Sequence, residues 1–191
     1  MKKILSIVVI LFLVSCQSNK EKNGHSESHD HSAHTEAKAN TSKSPHTYTM
    51  ADIGGAHIHI DYSSPRVRNR IIFGGLLAYD EVWQAGAHMA TWVETTKDLT
   101  ISNQLLPKGK YGFFVIPSTE EWTVIFNKNW NQHGKDDYTK EEDVLRFKIT
   151  PEFSEEIKEE LEYKIIKTAD SEGKFILEWE RVKISFPFVV N

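Results

Sequence analysis

The chain has 191 residues, 23 Lys and Arg against 27 Asp and Glu for a formal net charge of −4, and a single cysteine. The acidic balance argues against a nucleic-acid partner, because phosphates select basic surfaces. One cysteine leaves no pair for an internal disulfide.

Lys2 and Lys3 precede an apolar run over residues 4–14, the zones of a secretory signal. The run is shorter than the roughly 20 apolar residues that span a bilayer. A signal peptide over residues 1–15 is therefore expected rather than a membrane helix. Leu13, Val14, Ser15 and Cys16 resemble a bacterial lipobox, which implies that Cys16 carries lipid and opens the mature chain. One acyl chain holds a protein only marginally, whereas two or more anchor it stably. The expected partner is thus a membrane, reached through the lipid on Cys16, and the expected location is the cell envelope. Gln17 follows the cysteine, without the aspartate associated with inner-membrane retention, so the outer membrane is the expected side.

Residues 16–50 carry few large apolar side chains and read as a disordered, flexible tether. His25, His29, His31 and His34, with His46 further on, give it a histidine density suited to Zn²⁺, Cu²⁺ or Ni²⁺. The alternative is a polar spacer in which histidine is tolerated. Residues 51–191 hold the aromatic and β-branched side chains of one domain, with 17 Lys and Arg against 23 Asp and Glu, a net of −6.

Within that domain the dominant period is two. Ile58 and Ile60 alternate with His57 and His59, placing both imidazoles on one strand face. Arg66, Arg68 and Arg70 alternate in the same way, as a solvated strand face or an anion-facing one. Residues 80–84 read as a helical turn. Leu99 to Ile101 is joined by a hairpin over residues 106–110 to an apolar run at residues 111–116. Residues 117–121 turn into a second apolar run at residues 122–126, and both runs read as central strands. Residues 145–149 alternate, residues 153–159 read as one or two helical turns, residues 170–173 read as a third hairpin turn, and residues 175–179 and 182–186 alternate as the last strands. About nine strands result. The fold class expected is all-β: a single antiparallel β-sandwich or flattened barrel behind the disordered N-terminal tether.

Several blocks carry a resemblance. Residues 60–65 (IDYSSP) and 70–76 (RIIFGGL) resemble the opening of the domain of unknown function 2911 family. Residues 82–88 (VWQAGAH), 106–111 (LPKGKY) and 121–128 (EWTVIFNK) are similar to later blocks of that family. The similarity covers most of residues 57–190 and implies a secreted or lipid-anchored protein. Members commonly carry Asn where His88 stands and a carboxylate near Met89.

The candidate sites are two. Tyr79, Trp83, His88 and Trp130 surround the same loops, as the lining of a pocket for a small molecule or glycan, or as core. His57, His59 and either His88 or His133 form a candidate zinc or other transition-metal site, or else a solvated strand face beside unrelated loops. No nucleophile elbow, zinc-protease motif, phosphate loop or dinucleotide fingerprint occurs. The leading functional expectation is a binding or scaffolding lipoprotein with a small-molecule, glycan or protein partner. The alternative is an envelope hydrolase acting on a glycan or peptide.

Overall fold

The computed structural model describes residues 42–191. The expected signal peptide, Cys16, and the tether histidines His25, His29, His31 and His34 lie outside the described residues. The ten strands are β1 (His46–Ile53), β2 (Ala56–Ser63), β3 (Trp92–Thr95), β4 (Leu99–Ile101), β5 (Gln104–Leu106), β6 (Gly109–Ile116), β7 (Trp122–Asn127), β8 (Asp143–Ile149), β9 (Glu152–Ala169) and β10 (Glu172–Val190). They form a six-stranded sheet, β1-β2-β3-β6-β7-β8, and a four-stranded sheet, β5-β4-β10-β9, antiparallel throughout. The sheets do not close, so the architecture is the sandwich and not the barrel.

The inner faces follow from alternation. Ile58 and Ile60 of β2 and Phe113 and Val115 of β6 meet Leu177, Trp179, Ile184 and Phe186 of β10 in one core. Aromatic rings bridge the two sheets, with Phe147 and Phe186 centred 5.1 Å apart and Tyr62 and Tyr163 4.7 Å apart. The two apolar runs are central strands, as expected, and are buried on both faces for a specific reason. On the outer face Phe114 and Ile125 pack with Ala90, against Ile116 at the end of β6 and against Val82 and Tyr138 from the loops on either side.

Four expectations are corrected. First, β1 begins at His46, inside the segment read as tether up to residue 50, and pairs along its whole length with β2. Gly54 and Gly55, at φ of 59° and 75°, make the tight turn between them. Second, β4 turns into β5 through Ser102 and Asn103, both at positive φ. Residues 106–110 therefore carry the chain to the other sheet, where β6 pairs with β3. Third, residues 153–159 are not helical: they belong to β9, paired with β10 through two bulged steps. Glu and Lys favour helix only weakly, and a long hairpin overrides that preference. Fourth, residues 80–84 form turns rather than a helix.

Residues 64–91 connect β2 to β3 and lie closely against the core. Val67, Ile72, Phe73, Trp83 and Ala85 are buried there. Trp83 exchanges both backbone hydrogen bonds with Val115. The Val67 N–H donates to Glu159 O, and the Leu161 N–H to Pro65 O, tying this connection to β9.

Candidate functional site

Arg66, Arg68 and Arg70 do not share a strand face. The chain reverses between Val67 and Arg70, with Arg68 and Asn69 at φ of 52° and 56° and the Arg70 N–H donating to Val67 O over 3.1 Å. That is the left-handed two-residue turn of tight hairpins, unusual with no glycine at its centre. Arg66 pairs with Glu160. Arg68 Nη2 donates to Lys43 O at 2.8 Å, and Arg70 donates from Nε to Val67 O and from Nη2 to Arg66 O. Hydrogen bonds to backbone carbonyls hold these guanidinium groups without neutralising them.

The turn sits beside a cavity of about 380 Å³ whose lining includes Lys43, Arg68, Arg70, Leu76, Leu77, Trp83, His88 and Trp179. Its size falls in the roughly 300–1,000 Å³ range of small-molecule sites. Among the described residues no Asp or Glu lines it, although residues 42–191 carry 23 acidic side chains against 18 basic ones. Beneath it, Trp83 and Trp179 stack with centroids 5.6 Å apart and planes 26° apart, and Phe73 packs edge-on to both. Trp83 Nε1–H donates to Gly86 O at 3.0 Å. Trp179 is 1% exposed and its Nε1–H finds no acceptor among the described residues. A buried donor left unpaired costs about 1–3 kcal/mol.

The loop beside the cavity is rigidly held. Ala85, at φ 51°, has its carbonyl capped twice, by Tyr163 O–H at 2.6 Å and by Thr91 Oγ1–H at 3.0 Å. Burial pushes the Tyr163 hydroxyl well above its ordinary pKa, so it remains a donor. A Cβ on Gly86 would stand 2.6 Å from Thr91 Oγ1, which explains glycine there. His88, at φ 62°, accepts the Gly134 N–H on its carbonyl at 2.7 Å.

Of the four residues expected to share one pocket, Trp83 and His88 do. Tyr79 instead lies over Gly74, where an added Cβ would come within 2.6 Å of its ring. Trp130 belongs to the outer face of the six-stranded sheet. There Tyr48 stacks on His59 at 5.3 Å, His59 on Trp92 at 5.0 Å, and Trp92 meets Trp130 edge-on at 6.2 Å. Lys110 Nζ stands 3.3 Å from the Trp92 centroid and 3.8 Å from that of Trp130. With ring faces covered by each other and by an ammonium, this stack offers a ligand mainly edges.

The three-histidine metal sphere is also not assembled. His57 and His59 do share a face, with rings 6.5 Å apart, but each has a different neighbour. His57 Nδ1 bonds Asp52 at 2.9 Å, His59 lies between two aromatic rings, and His46 Nε2 bonds Asp61 at 2.9 Å. Met89 and His133 form a bridge, so the two loop histidines lie near each other, and His133 Nδ1 bonds Asp136 at 3.1 Å. Among the described residues no group of three or more His, Cys, Asp or Glu is arranged to hold a metal ion.

Sequence reasoning missed Lys43 and Trp179. Lys43 stood in the segment read as tether, and Trp179 showed only a strand's alternation. No curated protein and no solved structure matches the chain. A sequence profile described as protein of unknown function (DUF2911) matches residues 44–188, from just before β1 almost to the end of β10. The chain belongs to that family.

Proposed function

We propose that this protein is an envelope lipoprotein, anchored by lipid on Cys16, whose β-sandwich is a binding domain with its ligand site in the cavity beside the Arg68 turn. The observation that carries the reading is the cavity itself, lined among the described residues by Lys43, Arg68 and Arg70 and by no carboxylate. The segment between Cys16 and β1 is about 30 residues long. Its histidines give the leash an affinity for zinc or a similar ion, independent of the sandwich.

The hydrolase reading draws less support. Its aromatic and histidine set is divided between the cavity and the outer sheet face. Glu162, whose acidity is shifted, moves the wrong way for a general acid: a hydrogen bond from Lys158 holds it below its ordinary value.

Detergent-phase partition tests the anchor. The wild-type chain, expressed in a bacterium with lipoprotein processing, should enter the detergent phase, and Cys16→Ser should remain aqueous or unprocessed. Equal partition of the two chains would refute the lipid on Cys16.

A further inference from the structure

Resting on that reading, we propose that the cavity takes an organic anion with an apolar body, its charged head held by Arg68, Arg70 and Lys43. Two observations converge. Among the described residues, none of these three cations has a carboxylate within ion-pair distance; the salt bridges involve other basic groups. Of the acidic groups beside the turn, Glu160 is paired with Arg66, and Glu159 accepts the Arg68 backbone N–H at 3.0 Å outside the cavity lining. A concave site lined by one sign of charge concentrates ligands of the opposite sign.

The second observation concerns the walls. Leu76 and Leu77 line the cavity beside the cations, and Leu76 is 50% exposed. The stacked indoles beneath are nearly closed to solvent, so a ligand meets their edges, while the leucines receive its apolar part. An inorganic ion would leave that wall unused. His88, at the rim on a strained backbone, adds a further donor.

A larger cavity, about 490 Å³ between β9 and β10, makes the weaker case. Its lining mixes Glu152, Glu156, Glu178 and Glu180 with Lys158, Arg181 and Lys183. Lys183 pairs with Glu152, and Glu178 pairs with Lys164. Charges that cancel one another select no ligand sign.

The test uses the full chain carrying Cys16→Ser, which removes the lipid and leaves the cavity intact. Isothermal titration compares 4-phenylbutyrate, its neutral counterpart 4-phenyl-1-butanol, and inorganic phosphate. The carboxylate should bind with 1:1 stoichiometry, at least tenfold more tightly than the alcohol and than phosphate. Arg68→Gln and Lys43→Gln should each weaken the carboxylate about tenfold while leaving the alcohol and the thermal midpoint unchanged. Equal binding of acid and alcohol would overturn the anion and leave a binding domain standing. Failure of all three probes at millimolar concentration would overturn both the anion and this cavity as the ligand site. Displacement of 4-phenylbutyrate by phosphatidylglycerol vesicles would assign the anion to a lipid headgroup; indifference to them would assign it to a soluble acid.

Discussion

Phe114→Ala probes the feature on which the outer half of the domain depends. Phe114 is 0% exposed, yet it points away from the main core, into the small cluster with Ala90 and Ile125. Its ring lies 5.1 Å from that of Tyr138, and a Cβ on Gly112 would come within 2.7 Å of it, so the packing is close on at least two sides. Removing a buried phenyl ring costs about 3–5 kcal/mol, the spread reflecting how far the surroundings collapse. Here part of the wall comes from the connecting segments that carry Val82 and Tyr138, which can relax inward more readily than strands, so the cost should fall near about 3 kcal/mol. Phe126→Ala, in the main core between β7 and its neighbours on β10, should reach about 5 kcal/mol because only paired strands surround it. Urea unfolding followed by far-ultraviolet circular dichroism measures both. For a domain of this size each kcal/mol lowers the thermal midpoint by roughly 2–4 °C. A loss for Phe114→Ala below about 1 kcal/mol, the scale of a surface substitution, would refute the double burial of β6.

Three further outcomes are expected. Tyr163→Phe deletes the shorter of the two hydrogen bonds on the Ala85 carbonyl and should cost about 1–2 kcal/mol in urea unfolding, the Thr91 bond preventing a larger loss. Gly86→Ala should lower the thermal midpoint by several degrees, because the new methyl displaces Thr91 Oγ1 from that same carbonyl; an unchanged midpoint would contradict the tight approach. Glu162 has a lowered folded pKa, so its contribution is present above the ordinary value of 4.5 and fades as pH falls through the lowered one. Glu162→Gln should therefore be less stable than wild type at pH 7, with the gap closing below pH 4.5, and a gap that widens on acidification would reverse the assigned sign.

The strands read from sequence were those with a clean alternation, as in β2, β8 and both halves of β10, or with an apolar run buried on both faces, as in β6 and β7. β1 escaped because its burial alternates only between exposed and intermediate until Ile53, so no hydrophobic stripe marks it; Gly54 and Gly55 were the available signal. In β9 residues 152–160 are all exposed, and the segment is held by pairing to a partner 20 or more residues away, which no local pattern encodes. The site was half legible for the same reason. Trp83 and His88 lie five residues apart and share a loop. Trp179 reaches Trp83 only because β10 crosses beneath residues 64–91, and Lys43 only because the chain ahead of β1 returns to Arg68.

The connection over residues 64–91 concentrates unusual backbone: Arg68, Asn69, Asp80, Ala85 and His88 all sit at positive φ without being glycine. Such residues cost of order 1–3 kcal/mol each and persist where their surroundings over-determine them. Those surroundings can be named. The Asp80 N–H donates to Pro117 O and the Arg68 N–H to Glu159 Oε1, while the His88 carbonyl accepts from Gly134 and the Ala85 carbonyl from Tyr163 and Thr91. Glu159 and Tyr163 belong to β9 in the four-stranded sheet, whereas Pro117 directly follows β6 in the six-stranded one. The connection is thus braced against both layers of the sandwich, and its strain is offset by folding of the whole domain rather than by any ligand. A cavity built in this way has its cationic turn ordered before binding, so a ligand meets no large ordering cost. On the proposed reading, the demand for affinity then falls on charge and shape at Arg68 and Arg70 rather than on closure of a lid.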